Sequence, residues 1–438
     1  MTKEVFLMSL FTELNTNKVD YFVYGAYKSL PIDTNGSDID MVVAEKDICI
    51  FEKVLKAISI INNVFLASFY TNSTTKFYRF ITTKWGVQID VFYKELSYRG
   101  VPYFPTEKLR RDIILHNNLV YVLNEKKGFY VDYFKEIIHN GKVKEKYALA
   151  LLNALVDRRD EVIQEITELY GKKAGQIIEN NDTLDGLQKI GKALKHQMRN
   201  HILTNHLGTV LIDRVQSFSR LFMPRPGYVI VVEGTDGSGK STIINYISPI
   251  LNECFHKYVF YSHLRPKAIP DLGVILGKKS ADEPEHVNND PHGQSQSGFL
   301  GSLIRWGYYM IDYTFGYLKK VWIQIHSKSK VFIFDRYYYD YYIDQKRSRT
   351  NLPNWILRFG EMLIAKPDLI LCLGGDPEKI YARKPETSLQ EVERQTNALR
   401  HFCETHHNAV WIDTTTTIEQ SCDDAMQAIV SMMSKRFN

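Results

Sequence analysis

Three short stretches of this 438-residue chain hold side chains that could do chemistry together. The first runs Glu233-Gly234-Thr235-Asp236-Gly237-Ser238-Gly239-Lys240-Ser241-Thr242. Gly234, Gly237 and Gly239 allow the backbone to curl until successive N–H groups point inward, a geometry that grips phosphate oxygens. A helix starting near Lys240 would add the positive end of its dipole. Lys240 would then reach the β- and γ-phosphates of a nucleoside triphosphate, and Ser241 would offer its hydroxyl to Mg²⁺. The apolar run Tyr228 to Val232 precedes the loop and a helix-like segment, Ile243 to Leu251, follows it. Strand, glycine-rich turn and helix therefore come in the required order, and the expected ligands are ATP and Mg²⁺.

The second stretch is Asp335-Arg336-Tyr337, at the end of the strand-like Val331-Phe332-Ile333-Phe334. Ligands of doubly wound sheets bind at the carboxyl ends of strands, which puts Asp335 beside the phosphate loop. A carboxylate there can hold Mg²⁺ through water or orient the attacking group, while the forked donors of Arg336 grip a phosphate. The plainer reading is an Asp-Arg surface pair capping a helix.

The third is Gly36-Ser37-Asp38-Ile39-Asp40-Met41-Val42-Val43. Residues two apart on a strand share a face, so Asp38 and Asp40 converge while Ile39 turns to the core. Neighbouring carboxylates repel unless a cation lies between them, which makes a Mg²⁺ site the chemical expectation. Asp90, in Val87-Gln88-Ile89-Asp90-Val91-Phe92, is the third acid in a similar setting. Two acids on one strand and one on a neighbour is the arrangement for two-metal nucleotidyl transfer. Two other readings stay open: a solvent-facing acidic strand end, and a domain that keeps the fold but only binds substrate.

The elements that must carry these residues follow from periodicity. Glu4 to Leu14 and Lys46 to Ser59 have helical spacing. Tyr21 to Tyr24, Asp38 to Val43, Phe65 to Tyr70, Phe77 to Thr82 and Val87 to Tyr93 read as strands around a turn-rich loop, Gly25 to Ser37. From Val131 to about Phe222 strand patterns disappear, and helices with charged faces are expected at Tyr147 to Leu155, Glu161 to Tyr170 and Leu187 to Thr204. Met223-Pro224-Arg225-Pro226-Gly227 cannot continue a helix and marks the clearest boundary. Beyond it, strands at Tyr228 to Val232, Val331 to Phe334, Leu369 to Leu373 and Val410 to Ile412 alternate with helical segments. That alternation predicts a mostly parallel sheet covered on both faces. The polar segment Lys278 to Ser297 reads as a mobile loop. The expected division is 1–125, a small α/β domain; 126–222, a helical region; and 223–438, a second α/β domain built on a doubly wound parallel sheet.

Composition sets outer limits. Hydrophobic residues make up 44% and charged residues 24%, the proportions of an ordinary globular protein. A formal net charge of +5 suits phosphorylated substrates but is too weak to argue for nucleic acid. The five cysteines are scattered without metal-ligand or redox spacing, which with no signal peptide points to a reducing, cytoplasmic setting. No stretch approaches the ~18 apolar residues of a membrane span.

With the first two stretches in view, residues 228–438 resemble the thymidylate kinase family of P-loop phosphotransferases. Glu233 to Thr242 match its extended loop, Asp335-Arg336-Tyr337 its Asp-Arg-aromatic motif, and Lys366-Pro367-Asp368-Leu369-Ile370-Leu371-Cys372-Leu373 its Pro-Asp-Leu strand segment. The resemblance implies that Pro377-Glu378-Lys379-Ile380 begins a lid whose Arg383, with Lys384, closes over the phosphates. The bland alternative for that pair is a solvated helix face. Where the family carries Arg-Glu-Pro-Gly-Gly-Thr for thymidylate, this chain reads Tyr261-Ser262-His263-Leu264-Arg265-Pro266. A different acceptor is therefore expected, with His263, Arg265, His292, Arg305 and the run Lys346-Arg347-Ser348-Arg349 as candidate ligands. Arg305 and Arg347 are favoured because helical segments would aim them at the strand ends; each could equally be a surface charge. His263-Leu264-Arg265-Pro266, Pro291-His292 and the Tyr-rich 337–342 also resemble a thymidylate-kinase-like branch associated with bacterial glycan synthesis. The tyrosine block by itself reads as core packing more than base stacking.

Residues ~20–95 look like the nucleotidyltransferase superfold that includes antibiotic adenylyltransferases, on Asp38-Ile39-Asp40 and on Gly25 with Ala26 where that fold has Gly-Gly or Gly-Ser. Gly25 then belongs to nucleotide binding. The sequence thus points to a kinase acting on a small-molecule or glycan acceptor, coupled to a Mg²⁺-dependent nucleotidyltransferase-like domain. Two alternatives remain at this level: a dTMP kinase with a non-catalytic front domain, and an ATP-dependent switch. Assembly is not determined, and a homodimer is left open.

Overall fold

The computed structural model describes residues 1–98, 101–275, 277 and 295–437. His292 and most of the expected loop from Lys278 to Ser297 lie outside the described residues. The chain divides into two compact units, Met1–Phe80 with Val87–Phe222, and Ile81–Gly86 with Met223–Asn438. Both are α/β. Among the described residues no helix is long and apolar enough to cross a membrane.

The strands are β1 (Tyr21–Tyr24), β2 (Ile39–Val43), β3 (Phe65–Thr71), β4 (Thr75–Ile81), β5 (Gly86–Phe92), β6 (Glu95–Tyr98), β7 (Val101–Pro105), β8 (Ile113–His116), β9 (Val120–Leu123), β10 (Tyr228–Gly234), β11 (Val259–His263), β12 (Val331–Asp335), β13 (Leu369–Gly374) and β14 (Ala409–Asp413). In the first unit seven of them form a mixed sheet ordered β3-β4-β5-β2-β1-β9-β8, with β6 and β7 paired separately. β2 is antiparallel to β1 and parallel to β5, and its register sets Asp40 directly opposite Asp90. That pairing carries the third acid to the first two.

Helix Lys3–Thr16, whose first turn Thr2 caps, buries Phe6, Leu7, Leu10, Phe11 and Leu14. The helices after β9 form one core with residues of the sheet: Phe22, Tyr24 and Val42 pack with Tyr130, Phe134, Ile137, Leu151 and Ile166. Helix Glu125–Asn140 begins on the Asn124 cap and ends at Gly141, whose left-handed φ of 64° lets its N–H reach back to Glu136 and Ile137. The two helices expected within 147–170 are both present, in the stretch Glu145–Tyr170, and are separated by a break at Arg158, where φ is −153° and ψ 58°. Strands β6 to β9 escaped the sequence because each is only four or five residues long, and two of the four side chains of β8 are exposed.

The second unit is a five-stranded, wholly parallel sheet ordered β11-β12-β10-β13-β14. Strand β10 lies at its centre and is buried at every residue, which is why it reads as an unbroken apolar run. The strand order reverses about β10, so the loop that follows it occupies the switch point where such sheets bind ligands. Helix Lys240–Phe255 leaves that loop at once. Tyr337, Tyr338, Tyr339 and Tyr341 are buried with Trp306, Leu357 and Phe402, which makes the tyrosine block core.

Candidate functional site

At the carboxyl ends of β10, β11 and β12 lies a cleft of about 830 Å³. Asp236, Gly237, Gly239, Lys240, Ser241, Thr242, His263, Asp335, Arg336, Arg347 and Arg383 all line it. Gly237 and Gly239 hold φ of 81° and 83°, a region L side chains rarely adopt. A Cβ on Gly237 would stand 2.7 Å from the Ile380 carbonyl oxygen, so the loop can pass helix Pro377–Arg383 only without a side chain there. Gly234, Thr235 and Ser238, in the same stretch, do not line the cleft. The hydroxyls of Thr235 and Ser238 are buried with no hydrogen-bond partner among the described residues.

Lys240 is folded back on its own loop, donating to the carbonyl oxygens of Gly234 at 3.0 Å and Thr235 at 2.8 Å. Burial and the nearby Arg336 push its ammonium down to about 8, against the pull of Asp236 and Asp335. Asp335 ends β12, opposite Val232 on one side and His263 on the other. Its Oδ2 accepts from the Tyr261 hydroxyl at 3.1 Å and stands 3.6 Å from His263 Nδ1. Burial alone would raise this carboxyl; the nearby His263 imidazole and the charges of Lys240 and Arg336 outweigh it and hold Asp335 at about 2. Its Oδ1 is buried with no partner among the described residues, an ionised oxygen available to a cation or a donor on a ligand. With the Ser241 hydroxyl it supplies hard oxygen ligands of the kind Mg²⁺ takes.

Arg336 differs from its expected role. It is 1% exposed, takes a left-handed φ of 67°, and its fork is occupied: Nη1 donates to Asp340 at 2.7 Å and Nη2 to Asp236 at 3.0 Å. It is a fixed positive charge at the cleft wall rather than a free hand for phosphate. Arg347 also bonds Asp236, so one loop carboxylate gathers two guanidinium groups. Burial raises Asp236, but Arg336, Arg347 and Lys240 hold it well below the usual carboxylate range. Glu233, wholly buried, accepts the Tyr337 N–H at 2.7 Å, and burial beside Asp340 pushes its carboxyl far up. Arg383 donates to the Thr414 carbonyl at 2.8 Å from the rim.

Two expected acceptor ligands are elsewhere. Arg265 is 6% exposed and does not line the cleft; its guanidinium bonds Asp312, Asp271 and the Ile269 carbonyl oxygen. It ties the segment after β11 to the helical stretch from Phe299, and these buried bonds hold its guanidinium away from the cleft. Arg305, on helix Phe299–Ile311, is also absent from the cleft wall; burial and its charge lower the guanidinium of Arg349. Arg347 sits in a turn after helix Asp340–Ile343 rather than on a helix.

In the first unit, ligand atoms of Asp38, Asp40 and Asp90 all lie within 4.8 Å of one another. Burial and the charge of Asp38 push Asp40 up to about 7, and the same causes with Asp40 added carry Asp90 well above the ordinary range. Three carboxyls crowded this closely are what a divalent cation would relieve, and their donor set suits Mg²⁺. Gly25, at φ 100°, faces them: a Cβ there would come within 3.8 Å of Asp40 Oδ2. The sequence did not signal Lys135, whose Nζ stands 4.0 Å from Asp40 Oδ2 and 5.4 Å from the Tyr24 ring centre. Nor did it signal Asp132, which accepts the Tyr24 hydroxyl on the same helix face. Helix Glu125–Asn140 supplies both, from positions 92 and 95 residues beyond Asp40, and no local pattern announces that.

No protein-family model matches the sequence, and none of the curated proteins compared with it matches. Among solved structures, the chain is similar to the crystal structure of thymidylate kinase from Ehrlichia chaffeensis, with 16% identity over 47% of this chain and 99% of that one, at a TM-score of 0.32. A likeness at that level decides neither fold nor function; the parallel sheet, its switch-point loop and the residues gathered around it are what the second unit's reading rests on.

Proposed function

We propose that the second unit is an ATP-dependent phosphotransferase acting on a small-molecule or glycan hydroxyl, of sugar or polyol type. The observation that carries this is the meeting of Lys240 and Asp335 in one cleft, the second with a buried ionised oxygen that nothing described in the protein satisfies. In this reading the loop amides and Lys240 bind the β- and γ-phosphates, and Ser241 and Asp335 serve Mg²⁺. The acceptor oxygen attacks the γ-phosphorus, the bond to the β-phosphate oxygen breaks, and ADP leaves. Arg336 and Arg383 stabilise charge on the transferring group, the first from the wall and the second from the rim. His263, Tyr261 and Arg347 line the cleft with hydrogen-bonding groups that suit a hydroxyl-rich acceptor. The first unit, with Asp38, Asp40 and Asp90 around Mg²⁺ and Gly25 beside them, is proposed as a nucleotidyltransferase-like site that works on the same molecule.

The test is to incubate the whole chain with Mg²⁺-ATP and a panel of dNMPs, sugars, sugar phosphates and glycan fragments, following ADP and pyrophosphate separately. Carbohydrate-dependent ADP that vanishes in Lys240→Ala supports the first reading. Pyrophosphate that vanishes in Asp38→Ala supports the second. ADP released with dTMP alone would overturn the choice of acceptor, and no acceptor-dependent product would leave an ATP-dependent switch.

A further inference from the structure

The three carboxylates of the first unit are not left to orient themselves. Asp90 and Gln88 are two apart on β5 and share a face, with Gln88 only 3% exposed. Gln88 Nε2 donates to Asp90 Oδ1 at 2.9 Å, and Gln88 Oε1 accepts from Arg79 Nε at 3.1 Å. Arg79, on β4, is wholly buried. A guanidinium has only donors, so it dictates which end of the Gln88 amide faces it: the oxygen turns to Arg79 and the NH₂ to Asp90. Outward along the same side, the Arg79 guanidinium lies 5.2 Å from the centre of the Tyr70 ring on β3, and the Arg220 guanidinium lies 5.3 Å from the same ring. The chain of contacts therefore runs from the last turn of this unit to the third carboxylate.

We propose that Arg79 and Gln88 form a positioning arm that holds Asp90 in its cation-binding orientation, with Tyr70 and Arg220 as its outer buttress. The arm rests on the reading of Asp38, Asp40 and Asp90 as a divalent-cation site. One oxygen of Asp90 is committed to the Gln88 amide, which fixes the rotation of the carboxylate and leaves its other lone pairs for the metal. The Gln88 N–H and the positive charge of Arg79 both favour the ionised carboxylate that a cation needs. Groups that orient a metal's ligands typically change its affinity by about 10- to 100-fold when removed.

The test is Mn²⁺ binding to the full chain, read by electron paramagnetic resonance at a temperature where circular dichroism shows each variant fully folded. The wild type should bind Mn²⁺ at a site that is lost in the Asp38→Asn, Asp40→Asn double variant and is distinct from any at Asp335. Gln88→Leu, which keeps the volume and removes the amide, should weaken that site about 10- to 100-fold. Arg220→Ala, at the half-exposed end of the arm, should weaken it less, and neither change should alter ADP release by the second unit. Gln88→Leu that binds Mn²⁺ within twofold of wild type would overturn the arm while leaving the cation site standing. A wild type with no Mn²⁺ site sensitive to the double variant would overturn the cation reading, and the arm with it.

Discussion

Lys240 stands between opposing demands. The fold buries it beside Arg336, which favours the neutral amine, yet triphosphate binding needs the ammonium. With its value at about 8 rather than the usual 10.5, the side chain is charged below pH 8 and loses its proton above it. Bound phosphate restores the proton, so ATP affinity measured by calorimetry in excess EDTA should be flat below pH 8. Above pH 8 it should fall by about tenfold per pH unit, levelling off near the ordinary lysine value. Lys240→Ala should abolish that dependence along with ADP formation. Asp335→Asn keeps the shape and removes the charge; it should lower kcat about 100-fold or more while ATP binding in EDTA is nearly unchanged. Arg265 makes the opposite prediction. Losing one partner of a buried ion pair costs about 3–5 kcal/mol, so Arg265→Ala should lower the unfolding midpoint of the second unit. An Arg265→Ala that melted normally but raised KM for the acceptor would return it to the ligand role expected from sequence. Nothing local could have told its role, because its partners lie 6 residues away at Asp271 and 47 away at Asp312.

At the scale of elements, the phosphate loop is set by backbone before side chain. Gly237→Ala would force a left-handed φ on a residue that resists it and press a methyl group onto the Ile380 carbonyl. The expected cost is about 1–3 kcal/mol in thermal unfolding, with ATP binding lost beyond what that destabilisation explains. This element was legible in the sequence because all its requirements, strand, glycines, lysine and helix, are contiguous. So was the parallel sheet, whose strands β10, β12 and β13 are apolar runs that burial on both faces demands. Strand β11 was not, since it exposes Phe260 and Tyr261 at the sheet edge and is known only by its register with β12. Asp38 and Asp40 could be placed together from strand spacing, and Asp90 needed the parallel pairing of β2 with β5 to reach them. Gln88, Arg79, Lys135 and Asp132 have no such signature. Each gains meaning only from a neighbour that the fold brings in.

At the scale of the molecule, two units each gather carboxylates and a cation-compatible oxygen set, one around Asp90 and one around Asp335. If they are separate centres, their chemistries must separate by mutation. Asp40→Asn should remove pyrophosphate release and leave acceptor-dependent ADP intact, and Lys240→Ala should do the reverse with a pre-phosphorylated acceptor. The central claim, that the second unit moves a phosphoryl group to an acceptor, is tested most directly by supplying ATP labelled in the γ-phosphate and tracing the label by mass spectrometry. The account predicts label on a carbohydrate hydroxyl in the wild type, and none with Lys240→Ala. Label found only in free phosphate, at a rate indifferent to every acceptor, would contradict it.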